Sequence, residues 1–454
     1  MANKVIIAPD AKVIQVQQTY YSPVAVVPPR TSIPIGTTYC FLSKVDPWPN
    51  ENDPPVPGVD QKSRKEIFKN MFVAKLVKTS DISPVVERIN WSANTTYDFY
   101  RDDIDILQQD VNGNLVYHFY AKNKYDQVFK CLWNANNSLA TDEPFFEPGT
   151  YNTNNIYEGA DGYKWKFIYS IDTGSKVKFM DSKWMPVSVS NTPNPLLASA
   201  GYGSIDVINV FNGGSGYDPA NSTITIQVVG DGTGCNAVAN VVNGSLNDII
   251  VTSPGRNYTF ANVVIQTVSG SGAIVYANTS PVGGHGYDPI SELGCSHVMY
   301  SIEFNGSEGG AIPTDIDFHQ LGILIEPTSL PRSPNPANSN IYSTTTDFVV
   351  APGFGSYQND EYIYQGTSLE NATFTARVLS FDTSTNILKL INTSGNSTLN
   401  GSVFGNTSGT ARTLLSVSSP TFVLFSGYIA YVENRTGVQR SADGIEQFRL
   451  VLGY

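Results

Sequence analysis

Along most of this chain, apolar residues recur at alternate positions in short runs, the period of strands that bury one face. The last thirty residues carry the pattern most cleanly. Tyr428, Ala430 and Val432 alternate with Ile429 and Tyr431, while Ile445, Phe448, Leu450 and Leu452 read as a second strand beyond the polar run 433–444. Termini fray unless docked, so this pair is expected to be tied into a sheet. Residues 36–45 read as a buried strand. The Pro47-Trp48-Pro49 and Asp53-Pro54-Pro55 segments read as an irregular loop, because each proline removes a backbone donor. One stretch has helical spacing instead: Ile67, Phe68, Met71, Phe72 and Leu76 share a face, which predicts a helix over 61–77. Two strand-like runs between 115 and 132, then 164–171 and 184–189, complete a β-rich first part.

An internal repeat follows. DVINVFNGGSGYDPANSTITIQVVGDGTG (206–234) aligns with DIIVTSPGRNYTFANVVIQTVSGSG (248–272), matching Tyr217 to Tyr258 and Ile226 to Ile265. Each copy reads as strand, Gly-rich turn ending in Tyr, strand, Gly turn, strand. Two copies are too few for a solenoid, so a small domain of duplicated hairpins is expected. Residues 344–417 hold short strands at barrel-like spacing with Gly and Asn turns. The expected organisation is an arm or first strand over 1–30, a framework over 31–200, and an inserted hairpin domain over 201–290. The framework continues over 291–340, a small barrel or sandwich is inserted over 341–418, and framework strands close the chain over 419–454. The fold class is mainly β: a multi-domain β-sandwich framework with one helix and two inserted small β-domains.

Composition sharpens this. Hydrophobic residues make up 41% of the chain and charged residues only 15%, against about 25% charged in ordinary soluble proteins. The net charge is −12. Lysine is concentrated in residues 1–183, and only Lys389 lies beyond them. All five tryptophans fall at or before Trp184, so the two parts are expected to be different structural units. An acidic surface without clustered Lys and Arg argues against nucleic acid as a partner. No run approaches the roughly 18 apolar residues of a membrane span. The four cysteines are far apart, without a CxxC pair, and are expected to be reduced thiols.

Candidate chemistry is sparse. The GGSGYD (213–218) and GGHGYD (283–288) turns lack the spacing of phosphate loops and are expected to be tight turns closed by tyrosine. His118, His285, His297 and His319 have no zinc spacing. Asp102, Asp103 and Asp105 begin like a calcium loop but lack its glycine and terminal Glu. Asp315 and Asp317 are a second acidic pair able to take a cation. No carboxylate pair stands out for glycoside hydrolysis, and no Ser or Cys has a nucleophile-elbow context. Neither a catalytic residue nor a cofactor or metal is assigned, and the chain is read as not an enzyme.

Three blocks, in order, resemble a known family. They are YCFLSKVDPWPNEN (39–52) with VVERINW (85–91) and Tyr97 behind it, DGYKWKFIY (161–169), and SGYIAYVENR (426–435) followed by IEQFRLVL. Together they are similar to the T4-type bacteriophage baseplate wedge family, its dimeric β-sandwich subunit. The resemblance implies a structural subunit of a contractile tail, located in the virion at the baseplate and assembled in the bacterial cytoplasm. It further implies a homodimer that bridges other wedge proteins, with a tail fibre or peripheral baseplate protein as outer partners. The interface or framework candidates are Trp48, Arg88, Trp91, Tyr97, Tyr163, Trp165, Tyr428, Tyr431, Glu433, Asn434 and Arg435, with Glu433-Asn434-Arg435 read as a turn. The alternative is a tail adhesin that recognises or cleaves host-surface carbohydrate, for which trimerisation and sugar binding are expected.

Overall fold

Two compact units make up the computed structural model, one from residues 1–17, 83–299 and 451–454, the other from 18–82 and 300–450. The described residues are 12–17, 37–58, 60–111, 114–150, 155–188, 202–218, 220, 224–306, 308, 312–329 and 337–454. Of the expected N-terminal arm or strand, residues 12–17 form a helical turn and the remainder lies outside the described residues. The chain is mainly β throughout.

The second unit is built on a five-stranded sheet. Its order is Ile341–Ser343, Met71–Leu76, Thr38–Ser43, Ile316–Ile325 and Tyr428–Arg440. The helix expected over 61–77 is shorter. It spans Gln61–Asn70, capped by Asp60, whose carboxylate accepts from the Lys62 and Ser63 amides. Met71, Phe72 and Leu76 belong instead to the strand. The run MFVAKL pairs on both sides, and Met71 to Ala74 are fully buried, so sheet pairing overrides a helical spacing that arose from continuous apolarity. Ile67 and Phe68 of the helix pack with Tyr39, Phe41, Leu324 and Tyr342 on one face of this sheet. On the other face, Phe318 meets Phe448 edge-on, and Phe448 meets Phe304, giving the second layer of a sandwich.

Glu433-Asn434-Arg435 is not a turn. The strand continues to Arg440, with Leu321 opposite Glu433, Gln320 opposite Asn434 and Ile316 opposite Arg440. Long-range pairing with an apolar central strand holds the polar run extended. Arg440 anchors its end. The side chain is wholly out of water, donates to the carbonyls of Pro313 and Asn305, and pairs with Glu446.

The strands between Thr346 and Ser418 close a six-stranded barrel around Phe348, Val378, Leu388 and Leu414. Its two ends are joined: the Thr421 amide donates to the Ser343 carbonyl at 3.0 Å.

In the first unit, the strands Tyr120–Lys122, Gln127–Asn134, Tyr163–Ser170 and Ile156–Glu158 form a four-stranded sheet with an aromatic core. The repeat forms a separate six-stranded sheet. Here Ile208 lies opposite Ile249 and Ile226 opposite Ile265, so equivalent residues of the two copies face one another. Such self-pairing defines a pseudo-twofold axis. The Tyr217 amide donates to Gly244 and the Tyr258 amide to Gly203, again as equivalents. This insertion also leaves and returns at one point, where the Ser280 amide donates to the Ser204 carbonyl and the two hydroxyls bond.

Candidate interaction site

The Pro-Trp-Pro loop is fixed to the strand Tyr428–Arg440 by backbone-directed bonds. The Trp48 indole N–H donates to the Arg435 carbonyl at 2.8 Å, across 387 residues of sequence. Glu51 accepts from the Trp48 amide through one carboxylate oxygen and from the Gly437 amide through the other. The Gly437 bond, with the nearby His319, holds the Glu51 carboxyl below its ordinary value although burial opposes it. Asn434 donates to the Pro55 carbonyl at 2.7 Å and accepts from Gln320 at 2.7 Å. Proline is tolerated here because the loop makes its contacts through carbonyls and side chains rather than a ladder of amides.

Beside this loop lies a cleft of about 690 Å³. The loop forms one wall with Trp48, Pro47, Pro49, Pro55 and Pro57. Helix residues Glu66 and Lys69 form another, and the barrel contributes Tyr362, Arg377 and Asn392. Arg377 is 4% exposed and pairs with Asp46 at 3.0 Å and Asp360 at 2.9 Å. Lys44 also reaches Asp360, at 3.1 Å, and pairs with Asp317. Two buried polar atoms of lining residues have no hydrogen bond among the described residues: Gln320 Oε1 and Arg377 Nε.

The sequence candidates divide between the units. Trp48, Tyr431, Glu433, Asn434 and Arg435 converge on one strand and its loop. Tyr431 donates to Glu433 at 3.0 Å, and Arg435 pairs with the same carboxylate at 2.9 Å. Tyr428, at the strand's start, is 69% exposed. In the other unit, Tyr97, Tyr163 and Trp165 are buried in one stack. Tyr163 lies parallel to Trp165 at 5.7 Å and Tyr97 meets Trp165 edge-on at 5.1 Å. Trp91 packs against the same core, and Arg88 donates to the Asp181 carbonyl. These five hold a fold together. Tyr362, Arg377, Asn392 and Gln320 were not singled out in the sequence. The signal for Arg377 was available: an arginine inside the apolar alternation TFTARV, in a half of the chain poor in cations, must be paired if it is buried.

A second polar cluster is fully internal. Lys130 pairs with Glu292 at 3.0 Å, and His285 Nδ1 lies 2.6 Å from the same oxygen. The Lys130 ammonium also lies 3.8 Å from the Tyr100 ring centroid. Lys130, His285 and Glu292 are 1%, 2% and 7% exposed, so they face protein rather than an incoming substrate. The cluster pins the return segment of the repeat domain onto the strand Gln127–Asn134. Asp102, considered for a cation, accepts from the Thr279 amide and hydroxyl and from the Tyr276 hydroxyl. Among the described residues, no three His, Cys, Asp or Glu side chains are grouped to hold a metal. No protein family model matches the chain, and no curated protein matches its sequence.

Proposed function

We propose that this chain is a non-enzymatic structural subunit of the baseplate wedge of a contractile phage tail, which homodimerises and bridges neighbouring wedge proteins. One observation carries most weight. Two of the sequence blocks behind the family resemblance, around Trp48 and around Glu433 to Arg435, are bonded to each other as a single surface feature. A loop-and-strand clasp of this kind is what an assembly component needs, because it keeps a shaped surface fixed while neighbours are added. The low share of charged residues suits wide protein contacts, whose cores are depleted of charge. Exposed apolar residues on the repeat sheet support the same reading. Val238 and Ile250 are cross-strand partners and are 51% and 44% exposed, a surface typical of protein contacts.

The test is co-assembly. The full chain should elute as a homodimer by light scattering and should be retained by its neighbouring wedge proteins. Deleting residues 426–454 should abolish folding or assembly. A monodisperse homotrimer that stays out of assembled tails would overturn the proposal and favour the adhesin.

A further inference from the structure

Nothing in the assembly reading requires a cleft, yet the second unit holds one of ligand size. Small-molecule sites run from about 300 to 1,000 Å³ and combine apolar or aromatic walls with a few convergent polar groups. The cleft beside Trp48, at about 690 Å³, is within that range. Its aromatic residues come from both sides, Trp48 from the loop and Tyr362 from the barrel. Its uncharged polar groups are mostly amides: Asn70, Gln320, Asn392 and Asn434.

The charges decide the class of ligand. The four charged lining residues, Asp46, Glu66, Lys69 and Arg377, sum to zero. Arg377 is already held by Asp46 and Asp360. Lys69, exposed on the helix, is then the single lining cation without a carboxylate partner among the described residues, too little to clamp a phosphate or a carboxylate beside Asp46 and Glu66, whereas a neutral ligand meets a lining of zero net charge. Hydroxyl groups suit the rest of the lining, because an amide both donates and accepts. Flat aliphatic ring faces match the two aromatic side chains. We propose that this cleft binds a neutral saccharide, with Trp48 and Tyr362 against its ring faces and the amides on its hydroxyls. Much of the site is preorganised, since the Trp48 indole and the Asn434 amide are already fixed by hydrogen bonds to the framework, which lowers the entropic cost of binding.

The experiment uses the full chain against an immobilised panel of neutral hexose and N-acetylhexosamine oligosaccharides, with acidic oligosaccharides and a proline-rich peptide as comparators. Calorimetry follows on any positive. Tyr362 is 40% exposed on a barrel strand, so Tyr362→Ala should lower the melting temperature by only about 2–4 °C and weaken saccharide binding about tenfold or more. Asn392→Gly keeps the positive backbone angle of that residue and should also weaken binding. The proposal is overturned if no neutral saccharide binds at millimolar concentration, if both variants bind like the parent, or if only the acidic or peptide probes bind. Each of these outcomes leaves the co-assembly test untouched.

Discussion

At the residue scale, the most consequential groups are charges removed from water. Lys130, Glu292 and His285 form a compact buried set, and breaking such a set costs more than forming it gains. Glu292→Gln should destabilise the first unit by about 3–5 kcal/mol, because the Lys130 ammonium loses its carboxylate. The cluster also makes stability depend on pH. Burial and the Lys130 charge hold His285 below the ordinary imidazole value, outweighing the attraction of Glu292. Burial would raise the Glu292 carboxyl, but Lys130, His285 and the Gly286 amide bring it down to about 2. In both cases the unfolded chain takes up the proton first as pH falls. His285 therefore removes stability below its ordinary value of 6.5. Glu292 removes more between its ordinary 4.5 and about 2. The melting temperature of this unit should drop between about pH 7 and pH 5, and His285→Asn should flatten that part of the profile. A profile unchanged by the substitution would assign the acid sensitivity elsewhere. None of this was visible in the sequence, where Lys130 sits within an ordinary alternating strand and His285 within a glycine turn.

At the element scale, the repeat behaves as two interlocked halves. The ring of Tyr217 in the first copy lies against Gly270 of the second, where an added Cβ would come within 2.5 Å of it. Tyr258 of the second copy lies against Gly232 of the first in the same manner, at 2.4 Å. Each half thus supplies the tyrosine that closes on the other half's glycine turn. Tyr217→Ala or Tyr258→Ala should cost about 3–5 kcal/mol, as for other buried aromatics. Gly270→Ala should also destabilise, since Gly270 has φ +86° as well as the ring above it. Combined with Tyr217→Ala it should cost less than the sum, because the methyl enters space the ring has left. Chemical denaturation of the four variants measures the coupling. Additive effects would show that the ring and the glycine do not share that space. The matched tyrosines and isoleucines of the repeat were legible in sequence order. That the copies exchange their tyrosines was not, because alignment carries no information about which copy a side chain touches. The same limit explains the strand Met71–Leu76. Its residues are apolar at every position, so the helical spacing and the strand reading both fit until the neighbouring strands are known.

On the scale of the whole molecule, both small β-domains are loops in the topological sense. Ser204 meets Ser280 at the base of one, and Ser343 meets Thr421 at the base of the other. Domains whose ends adjoin can be removed with little strain on what remains. Replacing residues 345–419 by a short Gly/Ser linker should therefore leave a soluble second unit. Its sheet, its Gln61–Asn70 helix and its Phe422 contact all lie outside the deletion. Far-ultraviolet circular dichroism and a cooperative melt check this, while aggregation of the shortened chain would make the barrel integral to the unit. Excision should also abolish saccharide binding, since Tyr362, Arg377 and Asn392 leave with the barrel.

Periodicity along the chain determined most of the strands, the repeat and the mainly β class, because alternation of apolar residues is a local property set by burial of one sheet face. It also marked the two closing strands, although these enter separate sheets rather than pairing with each other, while the prolines marked the Pro-Trp-Pro loop. Tertiary structure decided the length of the helix and the extension of the closing strand through Glu433, Asn434 and Arg435. It also decided the burial of Arg377 and Arg440 and the cleft beside Trp48. These depend on partners tens to hundreds of residues away, and a carboxylate or carbonyl brought from that distance leaves no trace in the local pattern it neutralises.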